Sequence, residues 1–382
     1  MKLRRPTFSL RDNNQKGRTL MKFFFFCASI FFLLNYSYSQ NNSKPFVVIG
    51  YYAGNAEKLD SFQIEKLTHI IFSFCHLKEN RLSVRRAADT LTIQKMVSLK
   101  QRNPQLKVLL SLGGWGGCET CSDVFADKHN RKVFASSVKE LTDYFQTDGI
   151  DLDWEYPVIP GYPGHRYSPN DKKNFTLLVK QLRSVLGKKQ IISFAAGGFT
   201  SYLRDAIDWK KVIKKVDMVN LMTYDLVGGY SVTTGHHTPL YSTTQQDQST
   251  DRAIQFLDSM KVPRNKLVIG AAFYGRMWGN VEPVNNGLYQ AGQFKRGIAY
   301  RNFGTILSAD SGYVYYRDSL ALAPYIYHPA RKEFVTFDDE QSIREKTLYA
   351  KKNGLRGIMF WQLAEDMYEN GLLEAIDSVL KK

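Results

Sequence analysis

A chain of 382 residues, 43% apolar and 13% aromatic, can bury one large core, which excludes disorder and suggests one barrel-sized domain or two ordinary ones. The formal net charge is +16, but seven Lys or Arg stand against Asp12 alone in the first 39 residues. The remaining charge, about +10, is diffuse and forms no basic run interleaved with aromatics, which excludes nucleic acid as a partner.

In chain order, the first element is the apolar run FFFFCASIFFLL at residues 23–34, preceded by Lys22 and followed by the small-residue site Ser37-Tyr38-Ser39. It has the length of a signal-peptide core and is too short to span a bilayer. Residues 1–39 are therefore read as an N-terminal extension and signal peptide, cleaved after Ser39 to leave Gln40 as the mature terminus. Met21 offers a second start, which would make residues 1–20 an upstream extension. Cys27 lies inside the apolar run without a lipobox lead and is read as ordinary signal composition. The mature protein is expected to be secreted or periplasmic, with no membrane partner.

After the leader, short apolar or β-branched runs recur at 46–51, 69–74, 107–112, 149–153, 190–195, 218–222, 267–272 and 357–360. Most are separated by helix-patterned stretches of crossover length. Alternation of this kind implies parallel pairing with right-handed crossovers, and eight strands close a (β/α)8 TIM barrel, an α/β fold occupying residues 40–382. One crossover is out of proportion. Some sixty residues from Tyr274 to about Asp338 precede the helical run EQSIREKTLYAKKN. Within it, YVYYRD, PYIYH and EFVTFD read as short antiparallel strands, so a small α+β insertion is expected at 275–337, between strand 7 and helix 7.

Cys118 and Cys121, in GGCETCSD, would meet an oxidising compartment after export, where they either close a small disulfide loop or remain two free thiols. A second Cys/His pair at ligand spacing is missing, so no metal is expected. Cys75 is left unpaired in a strand-like segment.

The sharpest feature is the run DGIDLDWEYP, with acids at Asp148, Asp151, Asp153 and Glu155. Strand side chains alternate, so Asp151, Asp153 and Glu155 share one face, with Glu155 nearest the C-terminal mouth. Buried carboxylates this close repel one another unless some are protonated or hydrogen-bonded. Ile150, Leu152 and Trp154 on the other face argue against an exposed acidic edge, and no neighbouring His or carboxylate cluster supports a metal cage. Crowded carboxyls whose proton affinities are pushed apart suit acid/base chemistry.

The four acids match the DxxDxDxE signature of the chitinases of glycoside hydrolase family 18, which the chain resembles over its whole mature length. SLGGW (Ser111, Gly114, Trp115), MTYDL (Met222, Tyr224, Asp225), FYGR (Tyr274, Arg276) and GIMFWQL (Trp361) fall at the ends of strands three, six, seven and eight. The long crossover resembles the chitinase insertion domain of one subgroup. The resemblance implies a retaining, substrate-assisted glycosidase. Glu155 would be the acid/base, Asp153 would hold the acetamide N–H of the reacting sugar, Asp151 would share a proton with Asp153, and Tyr224 would bond the acetamide oxygen. Asp225 and Arg276 would bind sugar hydroxyls, Trp361 would floor the cleavage subsite, and Trp115 would stack one sugar further along. Tyr51, Phe74, Gly114, Tyr156, Met222 and Tyr274 are expected around the same pocket. The implied partner is chitin or N-acetylglucosamine oligosaccharides, with no cofactor, and the protein is expected to act as a monomer. Rival readings are an endo-β-N-acetylglucosaminidase on N-glycans and a non-catalytic chitin-binding lectin.

Overall fold

The computed structural model describes residues 45–381 and Thr7; the leader and its cleavage site lie outside the described residues. In chain order the strands are β1 (Val47–Tyr52), β2 (His69–Lys78), β3 (Arg81–Ser83), β4 (Lys107–Gly113), β5 (Gly149–Asp153), β6 (Ile191–Gly197), β7 (Met218–Met222) and β8 (Leu267–Ala272). There follow β9 (Tyr274–Gly279), β10 (Gln293–Ala299), β11 (Val314–Asp318), β12 (Ala323–His328), β13 (Glu333–Thr336) and β14 (Gly357–Trp361).

Strands β1, β2, β4, β5, β6, β7, β8 and β14 pair in parallel in that order, and β14 returns to β1, closing the expected barrel. Each of the eight expected segments falls on one barrel strand. β5 shows how the pattern works. Ile150 and Leu152 point outward into the layer beneath the helices with Phe175 and Leu178, while Asp151 and Asp153 take the alternate, inward face. Below them the barrel is filled by Ile49, Ile71, Leu109, Val268 and Met359.

The helices are set by caps and apolar stripes. Lys128–Phe145 begins where Asp127 accepts from the Asn130 amide at 2.8 Å, buries Phe134 and Val138, and stops at Gln146 in the left-handed conformation. Each such apolar side chain withdrawn from water contributes roughly 2 kcal/mol before chain entropy is set against it. The first crossover departs from the pattern, carrying only the 3-10 turns Ala56–Ser61 and Ile64–Lys66 between β1 and β2.

The long crossover folds as a five-stranded antiparallel sheet in the order β10-β9-β13-β12-β11. The three expected strands are β11, β12 and β13, and two more, β9 and β10, join them. This corrects one expectation: FYGR does not end the seventh barrel strand. That strand stops at Ala272, and Tyr274 and Arg276 open the second sheet, where Arg276 pairs with Thr336 of β13. The return to the barrel is clasped by a buried ion pair, Lys346 Nζ to Asp338 Oδ2 at 2.7 Å, and Asp338 also accepts from the Ala272 amide and from Ser342. Among the described residues no helix is long and apolar enough to cross a membrane.

Candidate active site

The four acids of the β5 motif occupy four different environments. Asp148 lies at the bottom of the barrel, accepts from the Val108 amide at 2.9 Å and pairs with Lys100 at 2.6 Å, so it pins β5 to β4 and takes no part in the mouth. Asp151 is wholly buried and accepts from Ser193 Oγ at 2.6 Å, Ser111 Oγ at 2.9 Å, Tyr51 Oη at 3.1 Å and Asn220 Nδ2 at 3.1 Å. Burial pushes its carboxyl up, against the pull of those four donors. Asp153, one pleat nearer the mouth, is also buried, and its Oδ1 has no hydrogen-bond partner among the described residues. Burial, and then the charges of Glu155 and Asp151, push Asp153 well above the usual carboxylate range. The proton shared between Asp151 and Asp153 that the resemblance implies therefore meets an Asp151 already engaged by four donors.

Glu155 stands just past the strand end, half-buried in the cleft. Burial raises its carboxyl to about 7, opposed by the Tyr156 hydroxyl and reinforced by Asp225. A carboxyl poised there can hold a proton at neutral pH and give it up on demand, which is what a general acid needs. Burial raises both carboxyls, and the charge of Glu155 adds to the rise at Asp153.

These groups face a cleft of about 890 Å³. Trp361 forms its floor, with the Phe74 ring stacked 5.6 Å away and 11° from parallel, and Tyr51 6.0 Å away. Met222, Tyr224 and Tyr274 line the same space, and Tyr224 Oη is 3.9 Å from Met359 Sδ. Trp115 is 47% exposed at the rim and touches Tyr156, Tyr162 and Tyr230. Two expected pocket residues stand behind the wall. Tyr51 is buried and spends its hydroxyl on Asp151. Gly114, at φ +78°, sits behind Phe74, where a Cβ would come within 2.2 Å of the ring, so only glycine lets Phe74 reach Trp361. Next to it Cys118 and Cys121 are joined in a disulfide, the first of the two alternatives left by the sequence; Cys75 is a free, buried thiol.

Asp225 and Arg276 form a bidentate ion pair at the rim, joining the β7 loop to the second sheet. Burial alone would raise Asp225, but His237 and Arg276 together hold it well below the usual carboxylate range. The guanidinium also lies over Tyr274, 5.3 Å from the ring centre, and over Phe294 at 5.5 Å.

Several lining residues escaped the sequence reading: Phe199, Tyr230, Phe294, Ile298 and Glu365. Phe199 and Tyr230 follow glycine pairs just beyond strands β6 and β7, a position that marks loops at the functional end of a barrel. Glu365 lies four residues beyond Trp361 in the same kind of loop. Phe294 and Ile298 had no local signal, because only the pairing of β10 with β9 brings them beside Arg276.

The sequence profile of glycosyl hydrolases family 18 matches residues 47–366, and the chain belongs to that family. It is 36% identical over 299 residues to Chitinase A1 of Niallia circulans, covering 72% of this chain and 42% of that protein. It is 32% identical over 321 residues to Chitotriosidase-1 of Mus musculus, covering 79% of this chain and 68% of the other. The chain thus spans less than half of the first relative's length. Among solved structures it resembles a glycoside hydrolase family 18 N-acetylglucosaminidase from Paenibacillus barengoltzii, with a TM-score of 0.79, 35% identity, and coverage of 88% of this chain and all of that one.

Proposed function

We propose that the protein is an exported, monomeric glycoside hydrolase, freed by cleavage near Ser39, that cuts β-1,4 links between N-acetylglucosamine units with retention of configuration. The observation that carries this reading is the pairing of Glu155, raised to about 7 at the cleft, with Asp153, whose Oδ1 is buried one pleat below without a partner among the described residues.

In the first step the Glu155 carboxyl gives its proton to the glycosidic oxygen. The acetamide carbonyl oxygen of the reacting sugar bonds to its own anomeric carbon, the carbon–oxygen bond to the leaving sugar breaks, and a cyclic oxazolinium ion forms. Asp153 accepts the acetamide N–H and offsets the positive charge, at the point where a fixed carboxylate helps most. Tyr224 donates to the acetamide oxygen, and Trp361 stacks on the apolar sugar face. Glu155, now ionised, takes a proton from water as that water's oxygen attacks the anomeric carbon and reopens the ring.

Support for a second reading, release of single N-acetylglucosamine units from chain ends, comes from the full-length likeness to the Paenibacillus N-acetylglucosaminidase. Product analysis on chitin oligosaccharides and a high-mannose glycopeptide, in parallel, tests both. Chitobiose and longer fragments support the chitinase; monosaccharide alone supports the second reading. Cleavage confined to the glycopeptide overturns both, and binding without cleavage points to a lectin.

A further inference from the structure

His237 is wholly buried, and neither of its ring nitrogens has an ordinary hydrogen bond among the described residues. A buried imidazole in that state needs a physical reason. Its Nδ1 stands 3.5 Å from Asp225 Oδ1, the carboxylate that clamps Arg276 at the cleft. Its ring centre is 5.2 Å from that of Tyr274. The backbone at His237 is held from both sides: its N–H donates to Thr336 Oγ1 of β13 at 3.2 Å, and its carbonyl accepts from the Leu226 amide at 3.0 Å. The next residue, Thr238, donates to Asp338 of the buried clasp with Lys346. The strand that returns from the second sheet to the barrel therefore seats His237 against Asp225.

We propose that His237 is a positioning residue of the hydrolytic site, a neutral imidazole that donates from Nδ1 to Asp225 and fixes this carboxylate against Arg276 for the incoming sugar. The role rests on the hydrolase reading above and deepens it. At 3.5 Å the contact is longer than an ordinary hydrogen bond, as active-site contacts often are before substrate tightens them.

The groups facing His237 are Asp225, Tyr274, Arg276 and Asp338. Burial lowers its proton affinity and Arg276 acts in the same direction, while the two carboxylates pull the other way without prevailing. The ring therefore stays neutral, and a neutral imidazole beside a carboxylate must turn its one N–H toward it. Asp225 in turn faces Glu155, Tyr224, Tyr274, His237 and Arg276, and its charge helps keep the proton on Glu155. Loss of the imidazole donor would thus loosen the grip on the sugar and let Asp225 protonate at a higher pH.

The test combines kinetics with NMR on the whole mature protein. In protein labelled with ¹⁵N-histidine, His237 shows the Nδ1–H tautomer near neutral pH. An Nε2–H tautomer or an imidazolium overturns the proposal, even if the protein proves unable to hydrolyse oligosaccharides, a result that would refute the hydrolase reading separately. His237→Leu lowers kcat/KM for the N-acetylglucosamine tetramer about tenfold, mainly through KM, and moves the acidic limb of the pH profile upward. His237→Asn, whose amide can donate in place of the imidazole, recovers most of the loss. Equal impairment of the Leu and Asn variants, with unshifted limbs, would reduce His237 to packing and refute the role. If His237→Leu does not fold, His237→Ala takes its place: an acidic limb moved upward in Ala and restored in Asn supports the proposal, and the same limb in both contradicts it.

Discussion

The Phe74 ring lies against Trp361, 5.6 Å between centres and 11° between planes, so the floor of the cleft is a double aromatic layer and not one exposed indole. Phe74 stiffens the indole that a sugar would cover. Trp361→Ala should therefore raise KM for the N-acetylglucosamine tetramer by about tenfold or more, while Phe74→Leu, which leaves the indole in place, should cost only about two- to threefold. Steady-state kinetics on both variants checks this. Equal KM values in wild type and Trp361→Ala would remove Trp361 from the subsite.

Asp153 has a buried oxygen without a partner among the described residues, and the proposed mechanism gives it one only when an acetamide arrives. Asp153→Asn should keep the fold and lower kcat by on the order of 100-fold, because an amide cannot offset the charge on the cyclic intermediate. Circular dichroism and kcat measured together test the role, and near-normal turnover would contradict it.

The proposed mechanism needs Glu155 protonated, and burial places its carboxyl at about 7 against an ordinary 4.5. Activity should fall as pH rises through about 7. The same shift affects stability. The folded state holds this proton more tightly than the unfolded chain, so stability is lost as pH rises from about 4.5 toward 7. Glu155→Gln removes the charge and should stabilise the fold at pH 8 by roughly 2 kcal/mol or less given the half-buried site, seen as a raised Tm, with little change at pH 4. Thermal unfolding at the two pH values checks the difference; an equal effect at both would mean that Glu155 is not shifted.

The Cys118–Cys121 bridge closes a very short loop beside the Gly113–Trp115 turn. By chain entropy it contributes about 2 kcal/mol. Cys118→Ser/Cys121→Ser should lower Tm by a few degrees and weaken long oligosaccharides more than short ones, through the placement of Trp115. Unchanged Tm would show that the bridge holds nothing in place.

The barrel was legible because its strands are buried on both faces and read as apolar runs, and because β5 alternates Ile150 and Leu152 with Asp151 and Asp153. The polar support around Asp151 was not. Ser111, Ser193 and Asn220 are unremarkable residues within apolar strands, and only closure of the barrel brings them, with Tyr51, onto one carboxylate. FYGR was placed at the end of the seventh barrel strand for a similar reason: it follows Ala272 closely in the chain, although the pairing of β9 with β13 takes Arg276 into the second sheet. Phe294 reaches the site through the pairing of β10 with β9, and His237 through its hydrogen bond to Thr336 of β13, long-range contacts for which local sequence holds no signal.

The central claim is that the substrate's own acetamide attacks the anomeric carbon while Glu155 supplies the proton. The most direct test follows by ¹H NMR, in the first minutes of reaction, the anomer released from an N-acetylglucosamine hexamer, with Glu155→Gln as the control. Two displacements at one carbon predict that the β-anomer appears first, ahead of mutarotation, and that the control forms almost no product. Initial release of the α-anomer, or an undiminished rate in Glu155→Gln, would contradict the account.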